Sequence, residues 1–124
     1  MTREDKELLL KDLCARLPYG VKVNNEIQGD FKIYGICENI VFGRNEVCHI
    51  DFDVEKIKPY LFPISSMNKK QKKEYAHILV MSSNLACSQL IGETTQDWLD
   101  KNHFDYRGLI PKGLAIDATG KNIY

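Results

Sequence analysis

The chain has no net charge, because its 17 lysine and arginine residues balance its 17 aspartate and glutamate residues. Domains whose main task is to grip a nucleic-acid backbone are usually strongly basic, so the balance argues against that class but leaves room for a local basic patch. No apolar run approaches the roughly 18 residues of a membrane span. The N-terminal segment lacks the basic start and long apolar stretch of a signal peptide. We therefore expect a cytoplasmic protein.

Several motifs of known chemistry are also missing. The four cysteines lie far apart and form no C-x-x-C pair, which argues against a zinc site or a redox motif. Gly113 and Gly120 precede Lys121, but they are too far apart for a phosphate-binding loop, and no G-x-G-x-x-G or G-x-S-x-G motif occurs. The sequence thus indicates free thiols in a reducing compartment, no cofactor and no recognisable hydrolase.

The composition is that of an ordinary globular protein. Hydrophobic residues make up 44% of the chain and charged residues 27%, so neither disorder nor a fibrous repeat is indicated. A chain of this length can bury a self-sufficient core without help from disulfides or metals. We predict a single domain that spans residues 1–124.

The first residues have the pattern of a helix. Thr2 can cap it, and the acidic Asp5 would lie in the first turn, where the helix dipole favours negative charge. Pro18 predicts its end. Residues at spacings of three and four predict one buried stripe, which consists of Leu9, Leu10, Leu13, Cys14 and Leu17.

The middle of the chain predicts strands. VKVNNEI, FKIYGIC, NIVF and VCHIDF are short segments rich in β-branched and aromatic residues, and turn-forming residues separate them. Connections this short join antiparallel strands only. Residues 53–67, with Pro59 and Pro63, are interpreted as a linker that lies against the core. The tail GLAIDATGKNIY is a candidate for one more strand.

The remaining residues predict helices. Asn68 can cap a second helix, and Thr94 or Thr95 can cap one that ends near Asn102. Thr94 with Asp97 fits the reciprocal capping box. The segment SSNLACSQLIG between these helices fits either a short helix or a loop. The predicted fold is α+β: a small antiparallel sheet of three to five strands, packed against an N-terminal helix and two or three C-terminal helices.

A cluster of lysines runs from Lys56 to Lys73. Residues 56–75 contain six lysines and one glutamate, Glu74, and the densest part consists of Lys69, Lys70, Lys72 and Lys73. Such a patch can bind a phosphate backbone. Blocks of like charge are more often solvated surface, however, and no aromatic residues are interleaved here for base stacking.

Two further groups suggest chemistry only weakly. Asp51, Asp53 and Glu55 alternate along a predicted strand and offer oxygen ligands, but a hard cation needs more converging ligands than these. Asp53 can instead cap the turn that follows it. The histidines His49 and His77 fit exposed positions. We therefore predict no metal site.

The segment WLDKNHFDYRGLIPKG (98–113) is the richest in reactive side chains. A left-handed residue, Asn102, can end the helix, with Phe104 folding back onto Trp98 or Leu99. Residues 105–108 (DYRG) fit a type I turn. A functional interpretation makes Trp98, Tyr106 and Arg107 a recognition surface, because these residue types are enriched in binding hot spots.

Three segments carry a family pattern: MTREDKELLLKDLCARLPYGVKV at the start, KPYLFPISSM at 58–67, and DWLDKNHFDYRGLIPKGLAI at 97–116. In order and spacing they resemble a family of small uncharacterised proteins of gut Bacteroidetes and their phages and mobile elements. The resemblance covers nearly the whole chain. It implies a phage or mobile-element setting and no particular activity. The chain departs from the family pattern at Phe62, where relatives tend to have Arg, and at the lysine-rich residues 68–73, where relatives are acidic.

These observations leave three hypotheses for function. The leading one is a non-enzymatic module that binds another protein through Trp98, His103, Tyr106 and Arg107. A second is a nucleic-acid or nucleotide binder that uses the lysines between 56 and 73. A third is an enzyme of unrecognised type that uses His103 and Asp105.

Overall fold

The structure, a computed structural model, describes residues 1–82 and 95–124. It confirms the α+β class, with three α-helices in the described residues and a seven-stranded sheet. None of the described helices has the length and apolar character that crossing a membrane requires. The helices are α1 (Arg3–Arg16), α2 (Lys69–Ser82) and α3 (Thr95–Lys101). The strands are β1 (Lys22–Asn25), β2 (Gly29–Cys37), β3 (Ile40–Arg44), β4 (His49–Asp53), β5 (Lys58–Pro63), β6 (Phe104–Asp105) and β7 (Ile116–Asp117).

Helix α1 begins at the predicted cap. The Thr2 hydroxyl accepts a hydrogen bond from the Asp5 backbone N–H at 3.1 Å, and the Asp5 side chain accepts one from the Thr2 N–H. The prediction that Cys14 belongs to the buried stripe is wrong, because Cys14 is exposed. Leu9 and Leu13 are buried as predicted, and Leu10 and Leu17 are partly buried against the core. The charged Asp12 and Arg16 are buried on the same face.

Strands β1 to β4 form the predicted antiparallel meander. Within β2, the pairing with β3 shifts between Ile33 and Gly35, so Tyr34 is an additional residue in the ladder. Such a bulge bends a strand and redirects a side chain. Apolar side chains of one sheet face pack with α1 in the main core, which includes Leu9, Leu13, Val23, Phe31, Ile33, Val41 and Phe52.

The interpretation of residues 53–67 as a linker is wrong, because strand β5 lies within them. β5 pairs antiparallel with β1 and parallel with both β6 and β7, so the sheet is mixed. The order is β4-β3-β2-β1-β5-β6, with β7 also on β5. The predicted three to five antiparallel strands are therefore too few. Two features explain the difference. Prolines usually argue against an interior strand, so β5 was interpreted as a linker. Strands β6 and β7 have only two residues each, which is too short for an alternating pattern.

The C-terminal helices follow the prediction in part. Asn68 caps α2: its side chain accepts from the Gln71 N–H at 2.8 Å, and the Gln71 side chain accepts from the Asn68 N–H at 3.0 Å. Helix α3 ends at Lys101, as expected, and the predicted tail strand is β7. The expected capping by Thr94 and residues 83–92 of the ambiguous segment lie outside the residues whose placement is described. A second core cluster joins these helices to β6: Met67, Ile78, Trp98, Leu99 and Phe104.

Candidate functional site

The predicted recognition residues lie in the interior or against it. Trp98 is only 4% exposed, and its ring stacks on that of Phe104 with 5.7 Å between centroids. This confirms that Phe104 folds back onto the helix. Trp98 also packs against Tyr75 from α2, at 5.6 Å. Trp98 is therefore a core residue that holds α2, α3 and β6 together.

A charge network starts on the buried face of α1. Arg16 donates from Nε to Oδ2 of Asp12 at 2.9 Å, and neither side chain has any exposed surface. Arg16 also donates from Nη2 to the carbonyl oxygen of Phe104 at 2.6 Å, while its Nη1 has no hydrogen-bond partner among the described residues. Opposite charges at positions i and i+4 lie side by side on a helix. That spacing allows the pair to be buried together.

Arg107 joins this network from the far end of the chain. Its Nη1 donates to Oδ1 of Asp12 at 2.7 Å and lies 3.7 Å from Oδ1 of Asp100. Its guanidinium lies 4.4 Å from the centre of the Tyr106 ring. The Tyr106 hydroxyl donates to Oδ1 of Asp100 at 2.9 Å. Arg107 and Tyr106 are therefore held by α1 and α3.

Burial governs the ionisation of this network. Loss of hydration raises the pKa of Asp100, although the Tyr106 hydrogen bond and the positive charges of Arg16 and Arg107 oppose the shift. Burial and the hydrogen bond to Asp100 raise the pKa of Tyr106 to about 12. Two arginines and two aspartates balance one another here. Tyr106 and Arg107 are partly exposed, but their polar groups already have partners within the chain.

His103 and Asp105 also have structural surroundings. The His103 ring stacks on the Tyr124 ring at 3.7 Å between centroids, and burial with the charges of Arg16 and Lys22 lowers the pKa of His103 to about 4. The two carboxylate oxygens of Asp105 accept from the N–H groups of residues 109 and 110, both at 2.9 Å. Neither residue lines the cleft beside Lys22 and Lys32 or the cleft beside Asn24 and Lys56.

The end of α3 differs from its prediction in one detail. The left-handed residue is His103, with a φ of 60°, rather than Asn102. Asn102 instead donates from its side chain to the Trp98 carbonyl oxygen at 2.9 Å. The DYRG segment does not form a hydrogen-bonded turn, since Asp105 belongs to β6, Arg107 lies in a bend, and no hydrogen bond joins the Gly108 N–H to the Asp105 carbonyl oxygen. The Asp105 carboxylate instead organises the turn that follows.

The predicted lysine patch is divided in the structure. Lys69, Lys70, Lys72 and Lys73 are exposed in the first turns of α2. Lys56 and Lys58 line a cleft of about 400 Å³ instead, together with Glu26 and Glu55. Of the six lysines of the predicted patch, only Lys56 and Lys58 line this cleft.

The acidic residues of the middle segment are also separated. Asp53 accepts from the Glu55 N–H at 3.0 Å and caps a short 3₁₀-helix, as predicted. Glu55 pairs with Lys6 of α1 at 2.6 Å. Among residues 1–82 and 95–124, no three His, Cys, Asp or Glu side chains converge as metal ligands.

The second face of strands β1 to β4 carries polar and aromatic side chains. Alternation along each strand separates this outer face from the core face. It is named here by its members: Lys22 and Asn24 of β1, Asp30, Lys32 and Tyr34 of β2, Ile40, Phe42 and Arg44 of β3, and His49, Asp51 and Asp53 of β4. Lys32, Tyr34, Arg44 and His49 are exposed.

Four basic side chains of the outer face form a row across the strands. Lys22 pairs with Lys32, Lys32 with Arg44, and Arg44 with His49. Residues directly opposite one another on neighbouring strands have Cβ atoms about 5 Å apart. No carboxylate of the described part of the chain forms an ion pair with Lys32 or Arg44. We call these four residues the basic row.

Two aromatic rings lie beside the basic row. Tyr34, at the bulge of β2, is 47% exposed, and its ring centre is 6.4 Å from that of Phe42. The Arg44 guanidinium lies 5.8 Å from the Tyr34 ring centre, and the His49 ring meets it edge-on at 5.7 Å. The outer face thus combines rings and positive charge.

A cleft of about 620 Å³ opens along the basic row. Its lining includes Lys22, Lys32 and Arg44, the exposed Val47 of the turn between β3 and β4, and Ile123 of the C-terminal segment. Two acids, Asp30 and Glu46, line it as well. The Asp30 carboxylate is engaged, since the Tyr60 hydroxyl and the Asn24 amide donate to its Oδ1 at 2.6 and 2.8 Å.

The C-terminal segment fixes one end of this cleft. The Tyr124 hydroxyl accepts from the Lys22 N–H at 2.8 Å and donates to the Tyr60 carbonyl oxygen at 2.9 Å. The Lys22 ammonium donates to the Ile123 carbonyl oxygen at 2.7 Å. Lys22 is therefore held in place, whereas Lys32 and Arg44 are exposed side chains that line the cleft.

Sequence reasoning missed the outer face as a site. Its basic residues are 5 to 12 positions apart in the chain, so no local charge cluster marks them. Only the register of the meander brings them opposite one another, and a register shift of one residue would turn each side chain to the other face. The available signal was alternation within each strand, extended across the three turns.

Comparisons with protein-family models, with curated proteins and with solved structures find no match to this chain.

Proposed function

We propose that the protein is a non-enzymatic binding module of the cytoplasm whose outer face binds an anionic polymer. The observation that supports this most strongly is the basic row. Like charges directly opposite one another on neighbouring strands destabilise a sheet. Here Lys32 stands between Lys22 and Arg44 without an ion pair to any described carboxylate. A bound anion would offset this repulsion.

The proposal keeps the non-enzymatic character of the leading hypothesis, but it replaces the protein partner with an anionic polymer, as in the second hypothesis, and moves the binding surface to the outer face. Trp98, His103, Tyr106 and Arg107 are engaged in internal contacts, which makes them poor candidates for a partner surface. The resemblance of three segments to proteins of Bacteroidetes phages and mobile elements supports a role in such an element. The enzyme hypothesis gains no support from the placement of His103 and Asp105 outside the two clefts.

The zero net charge agrees with a local site. A protein with an overall charge near zero attracts polyanions only weakly at long range. Its binding would depend on the few cations of the basic row at short range, and salt would weaken it strongly. The lysines at the start of α2 are a second exposed group of positive charge, so the experiment must separate the two surfaces.

A fluorescence titration at low salt, with heparin as the probe anion, tests this proposal. The double variant Lys32→Gln/Arg44→Gln removes two charges from the basic row, and Lys69→Gln/Lys70→Gln removes two from α2. We expect the first variant to lose most of the affinity and the second to keep it. Equal losses, loss only in the α2 variant, or no binding by the parent chain would overturn the proposal.

A further inference from the structure

We infer that the anionic polymer is a single-stranded nucleic acid, whose phosphates lie along the basic row and whose bases stack beside Tyr34 and Phe42. This inference rests on the proposed function and adds the identity of the ligand. Proteins that bind single strands combine a positively charged groove with aromatic side chains that stack on successive bases. The outer face has both components within one site.

The positions of the rings fit stacking. Tyr34 is 47% exposed and projects from the bulge of β2, where its ring is supported at the edge by His49. The Arg44 guanidinium lies near one face of the Tyr34 ring at 5.8 Å. Guanidinium planes and aromatic rings both stack on unpaired bases. A base can therefore lie on either the ring of Tyr34 or the planar group of Arg44.

The dimensions of the row fit a short segment of one strand. Neighbouring strands lie about 4.8 Å apart, so the row from Lys22 to His49 spans roughly 14 Å. Because Lys22, Lys32 and Arg44 supply three cations, about three phosphates can be neutralised. A duplex is a poorer fit, since its bases are stacked on each other and cannot reach Tyr34 or Phe42.

Acidic residues set the direction in which the ligand lies. Asp51 pairs with Phe42, and Asp53 pairs with Ile40, so both carboxylates lie on the outer face away from the basic row. They would repel phosphates placed over the aromatic rings. The backbone is therefore confined to the basic row, and the bases are directed towards Tyr34 and Phe42. Asp51 can accept a hydrogen bond from an exocyclic amino group, as carboxylates do with cytosine.

Fluorescence anisotropy with three labelled oligonucleotides of equal length tests the inference. The probes are a single strand of mixed sequence, an abasic strand with the same number of phosphates, and a duplex. We expect the parent chain to bind the single strand about 5- to 150-fold more tightly than the abasic strand, which is the effect of stacking one base on an aromatic side chain. The duplex should also bind more weakly than the single strand.

Two substitutions at one position separate stacking from charge. Tyr34→Leu should reduce affinity for the mixed strand to near that for the abasic strand, whereas Tyr34→Trp should retain it because the aromatic surface is kept. Circular dichroism verifies that both variants are folded. Equal affinity of the parent for mixed and abasic strands would overturn the stacking inference while leaving the proposed function intact. If the parent chain bound neither the two strands nor heparin, both the stacking inference and the proposed function would be overturned.

Discussion

Arg107 donates a hydrogen bond from Nη1 to Oδ1 of Asp12 at 2.7 Å, across 95 residues of sequence. Asp12 also accepts from Arg16 through its other oxygen. The three side chains tie the segment after α3 to the buried face of α1. The residues of the DYRG segment are thus explained by the stability of the fold, and an effect of their substitution on partner binding would be difficult to separate from unfolding.

Arg107→Met should lower the free energy of unfolding by about 2 kcal/mol or more, since it leaves part of a buried carboxylate without its charged partner. Only 13% of the Arg107 side chain is exposed, so solvent can replace the lost bond poorly. Urea denaturation of Arg107→Met, Asp12→Asn and the double variant measures the coupling. We expect the double variant to lose less than the sum of the two single losses.

The exposed ion pair of α1 provides the control for that experiment. Arg3 contacts Glu7 at 3.2 Å, but both side chains are largely exposed. Exposed pairs of this kind contribute little, so Arg3→Met should leave stability nearly unchanged. If the double variant instead lost the full sum of the two single losses, as variants at unrelated sites do, the coupling between Arg107 and Asp12 would be contradicted.

His103 should make stability depend on pH between about 4 and 6.5. Its pKa in the folded protein is about 4, below the ordinary value of 6.5, because burial and the charges of Arg16 and Lys22 disfavour the protonated ring. The unfolded chain therefore binds more protons in this range. Stability is fully present above pH 6.5 and is lost as the pH falls towards 4, by about 3 kcal/mol at most.

His103→Asn isolates this effect. Asparagine tolerates the left-handed φ of 60° at this position and does not titrate. The free energy of unfolding of the variant should therefore fall less than that of the parent between pH 7 and pH 4. The raised pKa of Asp100 acts in the opposite direction, but it is common to both proteins. His77→Asn, on the exposed side of α2, is the control. Parallel curves for parent and His103→Asn would contradict the assignment.

Lys32→Gln should stabilise the free protein while it weakens binding. The substitution removes the repulsion between Lys32 and its two cross-strand neighbours, Lys22 and Arg44. The gain should be a few tenths of a kcal/mol at low ionic strength and should shrink as salt screens the charges. Thermal unfolding at two salt concentrations measures it, with Lys112→Gln as the control. A loss of stability would show that the basic row is not repulsive in the free protein.

The N-terminal helix shows why the fold was largely predictable and its interior was not. Thr2 and Asp5 mark the start of α1 through local capping chemistry, which a sequence displays directly. Asp12 and Arg16 can lie on the buried face because residues distant in the sequence provide hydrogen-bond partners there: Arg107 for Asp12 and the Phe104 carbonyl oxygen for Arg16. A periodicity argument treats charged residues as outward-facing, so it assigned Cys14 to the core instead.

Strand β5 and the outer face show the same limit for the sheet. The prolines of β5 favour a linker when the segment is considered alone, yet its pairing with β1, β6 and β7 makes it part of the sheet. The meander itself was predictable from local alternation and turns. The juxtaposition of Lys32 with Arg44 depends on register, which the bulge at Tyr34 changes, and no local pattern reports it.

The salt dependence of single-strand binding tests the central claim most directly. For three phosphate contacts, the logarithm of the binding constant should fall against the logarithm of salt concentration with a slope of about −2. Lys32→Gln/Arg44→Gln should reduce the slope to about −0.7, while Lys69→Gln/Lys70→Gln should leave it at about −2. An unchanged slope in the first variant, or a reduced slope only in the second, would contradict the assignment of the binding site to the outer face.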